Sequence, residues 1–206
     1  MAQFFEIHPK NPQRRLILNA VDIIREGGIV ACPTDSSYAL ACHIGDKSAM
    51  DKMRRLRQLD DKHNFTLICK DLAQVSNFTK IGNEAYRLIK ALTPGPFTFI
   101  LEATREVPRR LQHPKKKTIG IRIPEHPIAM LLVEELDEPI LTTSLILPGT
   151  TEALTDAHDI RDVLDRELDA IIDAGNIPAE QTTVIEITAS GAAIIRQGKG
   201  IASMLE

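Results

Sequence analysis

The residues of this sequence that are best suited to chemistry follow an apolar segment near its start. Residues 28–32 are typical of a buried strand, Pro33 ends its hydrogen-bonded ladder, and residues 34–38 supply four hydroxyl groups and one carboxylate. Ligands of open α/β sheets bind where strands end, so this cluster could hold a polar small molecule. A capped turn leading into Ala39 and Leu40 explains the same residues equally well.

Polar and cationic side chains recur at the ends of other predicted strands. They are Arg57, Lys62, Asn64 and Thr66 around residues 65–69, Arg122 in residues 118–123, Thr142 and Ser144 in residues 140–144, and Arg196 after residues 192–195. Arg122 lies in an apolar strand and must form an ion pair or face a bound anion, because an unpaired buried charge is costly. Guanidinium groups suit phosphates and carboxylates, so these strand ends predict a cavity for an anionic small molecule.

Other well-known site types are missing from the sequence. It has no Walker phosphate loop, no G-x-G-x-x-G, no H-E-x-x-H and no G-x-S-x-G motif. The six histidines do not occur at metal-ligand spacing, so we expect no metal site built from side chains. His63 is a partial exception, because it lies among charged and amide side chains just before a strand.

Composition places the chain in a broad class. Its 206 residues fit one large domain, and 43% hydrophobic with 26% charged residues is ordinary for a soluble globular protein. Three scattered cysteines and no recognisable signal segment predict a cytoplasmic protein with reduced thiols. The net charge of −3 is uneven, with basic segments at 52–62 and 105–117 and an acidic one at 152–173. This polarity is compatible with an anionic ligand in one region.

Strand and helix patterns interleave along the chain. We predict helices from Asn11–Pro12 to residue 26, and over 46–59, 83–92, 126–136 and 155–167. We predict strands over 28–32, 65–69, 97–101, 118–123, 140–144, 169–173, 182–187 and 192–196. With no linker-like segment between them, these elements favour a single α/β domain with a mixed sheet layered by helices.

Six segments resemble successive blocks of the YrdC/YciO family. P-T-D-S-S-Y-A-L at 33–40 resembles the family's PT[DE]xxYGLG, and T-P-G-P-F-T-F-I at 93–100 resembles its xPGPxTxxL. The other blocks lie at 57–69, 119–127, 141–149 and 182–198, and H-N-F-T-L-I-C with T-S-L-I-L-P-G resembles the YciO branch. We therefore expect one domain at 11–198, with short extensions at 1–10 and 199–206.

The resemblance implies a twisted mixed sheet around a deep, basic concave cavity. Characterised YrdC-type members are threonylcarbamoyl-AMP synthases, nucleotidyltransferases that convert ATP, L-threonine and bicarbonate into threonylcarbamoyl-AMP and pyrophosphate for a tRNA modification. The implied ligands are an adenine nucleotide and L-threonine or a related molecule, with Mg²⁺ carried by ATP and no prosthetic group. Double-stranded RNA binding has also been attributed to the family.

Family motifs and strand-end positions together select the candidate site residues. The candidate catalytic residues are Arg57, Lys62 and Thr34, and the candidate binding residues are Asp35, Tyr38, Asn64, Thr66, Arg122, Thr142, Ser144 and Arg196. By resemblance, Thr34 and Tyr38 would border the amino-acid pocket, and Arg57 would approach phosphate or carboxylate. Thr142 and Ser144 would contact the nucleotide.

Two signatures of the synthases are changed in this chain. K-x-R-P reads Arg57-Gln58-Leu59-Asp60, and S-x-N reads Ser144-Leu145-Ile146, so one cation and one amide are missing. Losing a charge-assisted and a neutral hydrogen bond removes roughly 2.5–4 kcal/mol, about two to three powers of ten in binding or rate. We therefore expect weakened or altered synthase activity, with Lys62 restoring part of the charge.

Two alternatives to an enzyme stay open. A double-stranded RNA-binding protein could use the same basic concave surface, with Arg109, Arg110, Lys115, Lys116 and Lys117 following the phosphates. A scaffold protein whose ancestral site has decayed is the third possibility.

Overall fold

The computed structural model describes residues 1–60 and 63–203. In these residues ten strands form one mixed sheet: β1 (Gln3–Glu6), β2 (Val30–Pro33), β3 (Tyr38–His43), β4 (Thr66–Ile68), β5 (Phe97–Glu102), β6 (Thr118–Arg122), β7 (Ile140–Ser144), β8 (Ala170–Asp173), β9 (Thr183–Thr188) and β10 (Gly191–Arg196). The helices are α1 (Arg14–Arg25), α2 (Lys47–Arg57), α3 (Leu72–Phe78), α4 (Asn83–Leu92), α5 (Pro127–Leu136) and α6 (Ala157–Leu164), with a short 3₁₀ turn at Arg109–Leu111. The single α/β domain with a mixed sheet flanked by helices is confirmed.

The strand order brings distant segments of the chain together. The order is β1-β8-β2-β3-β7-β4-β6-β5-β9-β10, with parallel pairs β1–β8, β2–β8, β4–β6 and β5–β9 among antiparallel ones. The neighbours β7, β4, β6 and β5 therefore come from four separate predicted blocks. Polar residues that end these strands can meet at one place only because of this order.

Helices cover the two faces of the sheet unequally. In β3, Leu40 and Cys42 point into a core shared with α2, α4 and α6, while Ala39 and Ala41 point into a second core shared with α1 and α5. Successive strand residues face opposite sides, so the two cores lie on opposite faces. The first core continues under β4, β6, β5 and β9, whereas the second ends near β4 and β7. The second face is therefore left without a helix over several strands.

Several predicted boundaries differ from the observed ones. Helix α1 is capped by Gln13 and begins at Arg14, so the predicted cap at Asn11 is wrong by two residues. Gly27, with φ of +86°, ends this helix region as predicted. Asp46 caps α2 through a 2.7 Å bond from the Ala49 N–H, also as predicted. Helices α2 and α6 end at residues 57 and 164, earlier than predicted.

Three elements lie where none was predicted. Strand β1 lies in residues 1–10, which we expected to be a terminal extension, and it pairs with β8 at the edge of the sheet. Strand β3 follows β2 after a four-residue turn, and helix α3 is held by Asp71, whose carboxylate accepts from the Gln74 N–H at 2.7 Å. Among the described residues, no helix is both long and apolar enough to cross a bilayer.

Candidate functional site

A cavity of about 560 Å³ opens on the part of the sheet that no helix covers. Small-molecule sites commonly enclose roughly 300–1,000 Å³, so this volume can hold a nucleotide-sized ligand. Its described walls are Ala39, Arg57, His63, Asn64, Thr66, Thr98, Ile100, Gly120, Arg122, Thr142, Thr143, Ser144, Ile146, Thr182, Val184, Ile195 and Arg196. A smaller recess of about 60 Å³ adjoins it and shares Ser144, Ile146, Thr182 and Arg196.

The floor of the cavity is a row of residues facing one another across the sheet. Thr142 lies opposite Thr66, Thr66 opposite Gly120, and Gly120 opposite Ile100. Their neighbours Leu67 and Ile121 point into the core on the other face, so alternation directs these side chains toward the cavity. Thr142 also donates a hydrogen bond from Oγ1 to the Thr66 carbonyl at 3.0 Å.

Gly120 leaves space in the cavity because it has no side chain. A Cβ at this position would lie 2.8 Å from Thr66 Oγ1 and 3.0 Å from the Phe65 carbonyl oxygen. No side chain fits without displacing one of them, so a glycine is required here by close approach.

Arg57 enters the cavity from the end of α2 and is held by the end of β7. Its Nη1 donates to the Ser144 carbonyl and to Thr143 Oγ1, the latter at 3.3 Å. Its Nε is buried and has no hydrogen-bond partner among the described residues. Burial lowers the pKa of this guanidinium, so the cation is poorly solvated and a bound anion would stabilise it.

His63 shares the Thr143 hydroxyl with Arg57. Its Nε2 lies 3.2 Å from Thr143 Oγ1, and its ring packs edge-on against Phe65 with centroids 5.6 Å apart. Burial, together with the positive charges of Arg57 and Arg54, lowers its pKa to about 4. The imidazole is therefore neutral at physiological pH.

Arg122 reaches the cavity from β6 and is anchored by Asp35. Its Nη2 donates to Asp35 Oδ1, and both side chains are 8% exposed. The second Asp35 oxygen accepts from the Glu125 N–H at 2.9 Å. Arg122 forms the ion pair and also lines the cavity, so its contact with a bound anion stays a prediction. Burial lowers the pKa of Arg122 although Asp35 opposes the shift, and its Nε has no hydrogen-bond partner in the part of the chain that the structure describes.

Arg196 closes the opposite wall from the end of β10. Its Nη2 donates to the Thr182 carbonyl at 3.0 Å and to Thr182 Oγ1 at 3.3 Å. Thr182 Oγ1 lies 2.8 Å from Thr98 Oγ1, which connects this arginine to the floor strand β5. Burial lowers the pKa of Arg196 as well.

The charged side chains on the described cavity wall are all positive. Three arginines line it, and no described wall residue is a carboxylate, since Glu152 and Glu180 line only the adjoining recess. Among the described residues, no group of three potential metal ligands is assembled. The wall therefore offers donors for an anion and hydroxyl groups for polar contacts, without a built metal centre.

The turn at residues 34–37, between β2 and β3, has a structural role. Thr34 Oγ1 donates to the Ser37 carbonyl at 2.7 Å and accepts from the Ser36 and Ser37 N–H groups at 3.3 Å. Thr34, a candidate catalytic residue, is 1% exposed and is not on the described cavity wall, and its hydroxyl group stabilises the turn. Ser36 and Ser37 line the adjoining recess.

Tyr38 is a core residue rather than a pocket residue. It is fully buried, its hydroxyl donates to the Gly175 carbonyl at 3.0 Å, and it accepts from the Ala174 N–H at 3.3 Å. Burial raises its pKa to about 12. Tyr38, expected beside an amino-acid pocket, and Asp35, expected to bind a ligand, are both absent from the described cavity wall, and the Asp35 carboxylate faces Arg122 instead.

The two changed signature positions lie in different surroundings. Ile146 lines both the cavity and the recess, so an apolar side chain stands where the synthase signature has an amide. Leu59 packs against the core shared with α2 and is not on the described wall. Lys62 lies outside the described residues.

The basic residues considered for RNA lie elsewhere. Arg109, Arg110, Lys115, Lys116 and Lys117 are exposed and are not on the described cavity wall. Arg110 donates to the Gly45 carbonyl at 2.6 Å, and Lys116 pairs with Glu186 at 2.7 Å. An RNA surface made of these cations would therefore differ from the concave surface on which we expected it.

The structure brings together most of the predicted residues and adds several. Arg57, Asn64, Thr66, Arg122, Thr142, Ser144 and Arg196 all line one cavity. The wall residues beyond the candidate set include His63, Thr98, Gly120, Thr143, Thr182 and Val184. In β5, Thr98 and Ile100 alternate with two buried phenylalanines, which indicates that they face the other side of the sheet. This pattern identifies them as cavity residues only when the sheet face that the helices leave open is known.

The matching family model covers most of the chain. The Sua5/YciO/YrdC model, described as telomere recombination, matches residues 22–198, and the chain belongs to this family. The uncharacterized protein YciO of Escherichia coli K12 is 52% identical over 200 residues, which is 97% of each chain. The crystal structure of E. coli YciO superposes with a TM-score of 0.96 at 50% identity over 100% of both chains.

Relatives with a named activity or ligand are more distant. The threonylcarbamoyl-AMP synthase of Coxiella burnetii RSA 493 is 30% identical over 178 residues, covering 85% of this chain and 94% of that enzyme. The crystal structure of Pyrococcus abyssi Sua5 complexed with L-threonine has a TM-score of 0.87 at 27% identity. That match covers 95% of this chain and 57% of the Sua5 chain.

Proposed function

We propose that this chain binds an adenine nucleotide in the cavity and forms threonylcarbamoyl-AMP from ATP, L-threonine and bicarbonate, at a lower rate than synthases with unchanged signatures. The observation that carries the proposal is the meeting of Arg57, Arg122 and Arg196 on a wall where no described residue is a carboxylate. The relationship to a threonylcarbamoyl-AMP synthase and to a threonine-bound Sua5 supports the choice of reaction.

The proposed chemistry is positioning and charge neutralisation. Attack on the α-phosphate of ATP places negative charge on phosphate oxygens, and fixed guanidinium groups in a low-dielectric site stabilise it strongly. Arg57 and Arg122 are held by protein acceptors on one side, which leaves their remaining donors for phosphate oxygens. Mg²⁺ would come with the nucleotide phosphates, since no described wall residue is a carboxylate that could hold it.

Ile146 supports a reduced rate. It replaces an amide on the cavity wall with an apolar side chain, so one hydrogen-bond donor and acceptor are lost at the ligand. A neutral hydrogen bond contributes about 1 kcal/mol, which corresponds to roughly a fivefold change in rate or affinity. Leu59, the other changed position, packs against the core and is not on the described cavity wall.

Pyrophosphate release tests the reaction directly. Purified protein is incubated with ATP, L-threonine and bicarbonate, and with mixtures that omit one of the three. Release that requires all three supports synthesis of threonylcarbamoyl-AMP, and release without threonine indicates ATP hydrolysis instead. Ser144→Ala serves as a site variant, and Thr188→Ala on the far end of β9 is its matched hydroxyl control. If no mixture releases pyrophosphate at ATP concentrations that saturate the protein, the proposal is contradicted.

Binding of double-stranded RNA is a second candidate function. The exposure of five cations within residues 109–117 favours it, because exposed lysines and arginines in one segment can follow a phosphate backbone. A low aromatic content of 4% disfavours a stacking platform for single strands.

A salt titration with variants separates the two functions. Lys115→Glu with Lys117→Glu should weaken duplex RNA binding and reduce its salt dependence, because each phosphate contact contributes to the slope. The same variant should leave ATP binding unchanged, since neither lysine is on the described cavity wall. RNA binding that does not depend on salt, or is equal for single strands, contradicts duplex recognition.

A further inference from the structure

The described cavity wall contains one side chain that is neutral at physiological pH and can take up a proton. That side chain is His63, because the charged wall residues are otherwise arginines and the remaining polar ones are hydroxyl and amide groups. Arginine stays protonated in proteins, and threonine or serine hydroxyl groups do not ionise in this range. The carboxylates of Glu152 and Glu180 line the adjoining recess. Glu180 forms an ion pair with Lys199 at 3.3 Å.

His63 is held in a fixed position within the site. Thr143 Oγ1 lies 3.2 Å from its Nε2 and accepts from Arg57 Nη1 at 3.3 Å, so one hydroxyl group connects the base to the cation. The ring rests edge-on against the buried Phe65. This arrangement resembles a base oriented by a neighbouring group and differs from that of a mobile surface histidine.

The proposed reaction must release a proton. When the ammonium form of an amino acid condenses with bicarbonate, a nitrogen–carbon bond forms, water leaves, and one net proton is released with the carbamate. A carbamate oxygen then forms a bond to the α-phosphorus of ATP, and the bond to pyrophosphate breaks. A group that takes the proton from nitrogen keeps the nitrogen lone pair available for the first step.

We propose that His63 is the general base of this site, and that it takes the proton that the amino group of the amino-acid substrate loses. The inference rests on the proposed function, because it assigns a role within that reaction. Thr143 is a positioning residue that orients the imidazole. Among the described residues, the charged groups that act on His63 are Arg57 and Arg54 on α2 and Asp60 after it, of which the arginines keep the free ring neutral and the aspartate opposes them.

Nucleotide phosphates bound beside Arg57 make His63 a stronger base. Phosphate charge beside Arg57 offsets the positive potential that disfavours a second cation, so the pKa of His63 rises when nucleotide binds. His63 then accepts a proton more readily in the ternary complex than in the free protein. The site thus couples proton uptake to the presence of ATP.

The test compares His63→Gln with Glu152→Gln and with His158→Gln, an exposed histidine on α6 that lies outside the site. We expect kcat for pyrophosphate release to fall about 100-fold in His63→Gln, the lower end of what a general base contributes, with the Kd for ATP unchanged. The two control variants keep the wild-type kcat. Added imidazole should restore part of the rate of His63→Ala, which a purely structural role would not allow.

Each outcome decides between the two proposals. If wild-type protein releases pyrophosphate and His63→Gln releases it equally fast, His63 is not the base and the proposed function stands. If Glu152→Gln loses the activity instead, the base lies in the recess. If wild-type protein releases none, the proposed function fails and the role of His63 fails with it. Should His63→Gln not fold, imidazole rescue of His63→Ala or an acid limb in the wild-type pH profile supports the base, and the absence of both overturns it.

Discussion

Asp35 and Arg122, 87 residues apart in the sequence, form a buried ion pair behind the cavity wall. The pair connects the turn between β2 and β3 to the end of β6, and a second bond from the Glu125 N–H holds the carboxylate. Arg122 can therefore present a cation to the cavity although it lies inside an apolar strand.

Asp35→Asn tests this ion pair. The substitution leaves a buried guanidinium without a counter-charge, and we expect the free energy of unfolding to fall by about 3 kcal/mol. Urea denaturation at neutral pH measures it. Glu135→Gln breaks the more exposed ion pair with Arg14 and is the matched control, with a smaller expected loss because solvent screens that pair. If the free energy of unfolding fell equally in the two variants, the buried ion pair would stabilise the protein no more than the exposed one.

Gly120→Ala tests the cavity floor. The new Cβ meets Thr66 Oγ1 at 2.8 Å and the Phe65 carbonyl at 3.0 Å, so the strands must shift or the cavity must shrink. We expect a loss of about 1–3 kcal/mol in stability together with weaker ATP binding, measured by urea denaturation and calorimetry. Gly82→Ala is the control, because a Cβ there has no heavy atom within 4 Å. Unchanged ATP affinity in Gly120→Ala would show that the ligand does not reach the floor.

Protein stability should depend on pH through His63. Its pKa is lowered from 6.5 to about 4 in the folded state, so between these values the unfolded chain binds a proton that the folded chain does not. Stability is therefore unaffected by His63 above about pH 6.5 and decreases as the pH falls toward 4. Urea denaturation at pH 7 and about pH 5 should show a smaller loss in His63→Gln than in wild-type protein. His158→Gln should behave as wild type, and identical pH dependence in all three proteins contradicts a neutral, buried His63.

Ile146→Asn should raise synthase activity. Ile146 faces the cavity and is only partly buried, so an amide can be placed there without loss of core packing. One added neutral hydrogen bond should increase the rate of pyrophosphate release about fivefold. Leu59→Arg is the contrasting variant, because Leu59 packs against the core, and we expect it to lower stability without a gain in rate. A lower rate in Ile146→Asn would show that the isoleucine itself contacts the substrate.

Short-range sequence patterns predicted the strands and helices that begin and end at clear breaks in the sequence. Strand β7 and helix α4 have the predicted boundaries, since an apolar run and a helical stripe are each bounded by clear breaks. Strand β3 was missed because Tyr38–His43 is buried on both faces and shows no alternation. Strand β1 was missed because it has four residues and only Phe5 among them is buried, so it lacks the apolar run that marks β2.

The strand-end residues of the site were predicted from the sequence, whereas only Thr66 and Thr142 of its floor were among the candidates. An arginine in an apolar strand and polar residues at strand ends are visible in sequence, and Arg57, Arg122 and Arg196 do line one cavity. The floor depends on which sheet face the helices leave open, which is a property of the strand order. Thr34 and Tyr38 show the converse, because their hydroxyl groups are fully used by nearby backbone groups.

Calorimetric titration of ATP into wild-type protein and Arg57→Ala tests nucleotide binding in the cavity most directly. We expect saturable binding with one site in wild-type protein and at least a tenfold weaker Kd in Arg57→Ala, because a charge-assisted hydrogen bond contributes about 1.5–3 kcal/mol. Arg105→Ala is the control, since the Arg105 side chain is 96% exposed and is not on the described wall, and it should bind as wild type. Absence of saturable binding, or equal affinity in wild-type protein and Arg57→Ala, would contradict a nucleotide site in this cavity.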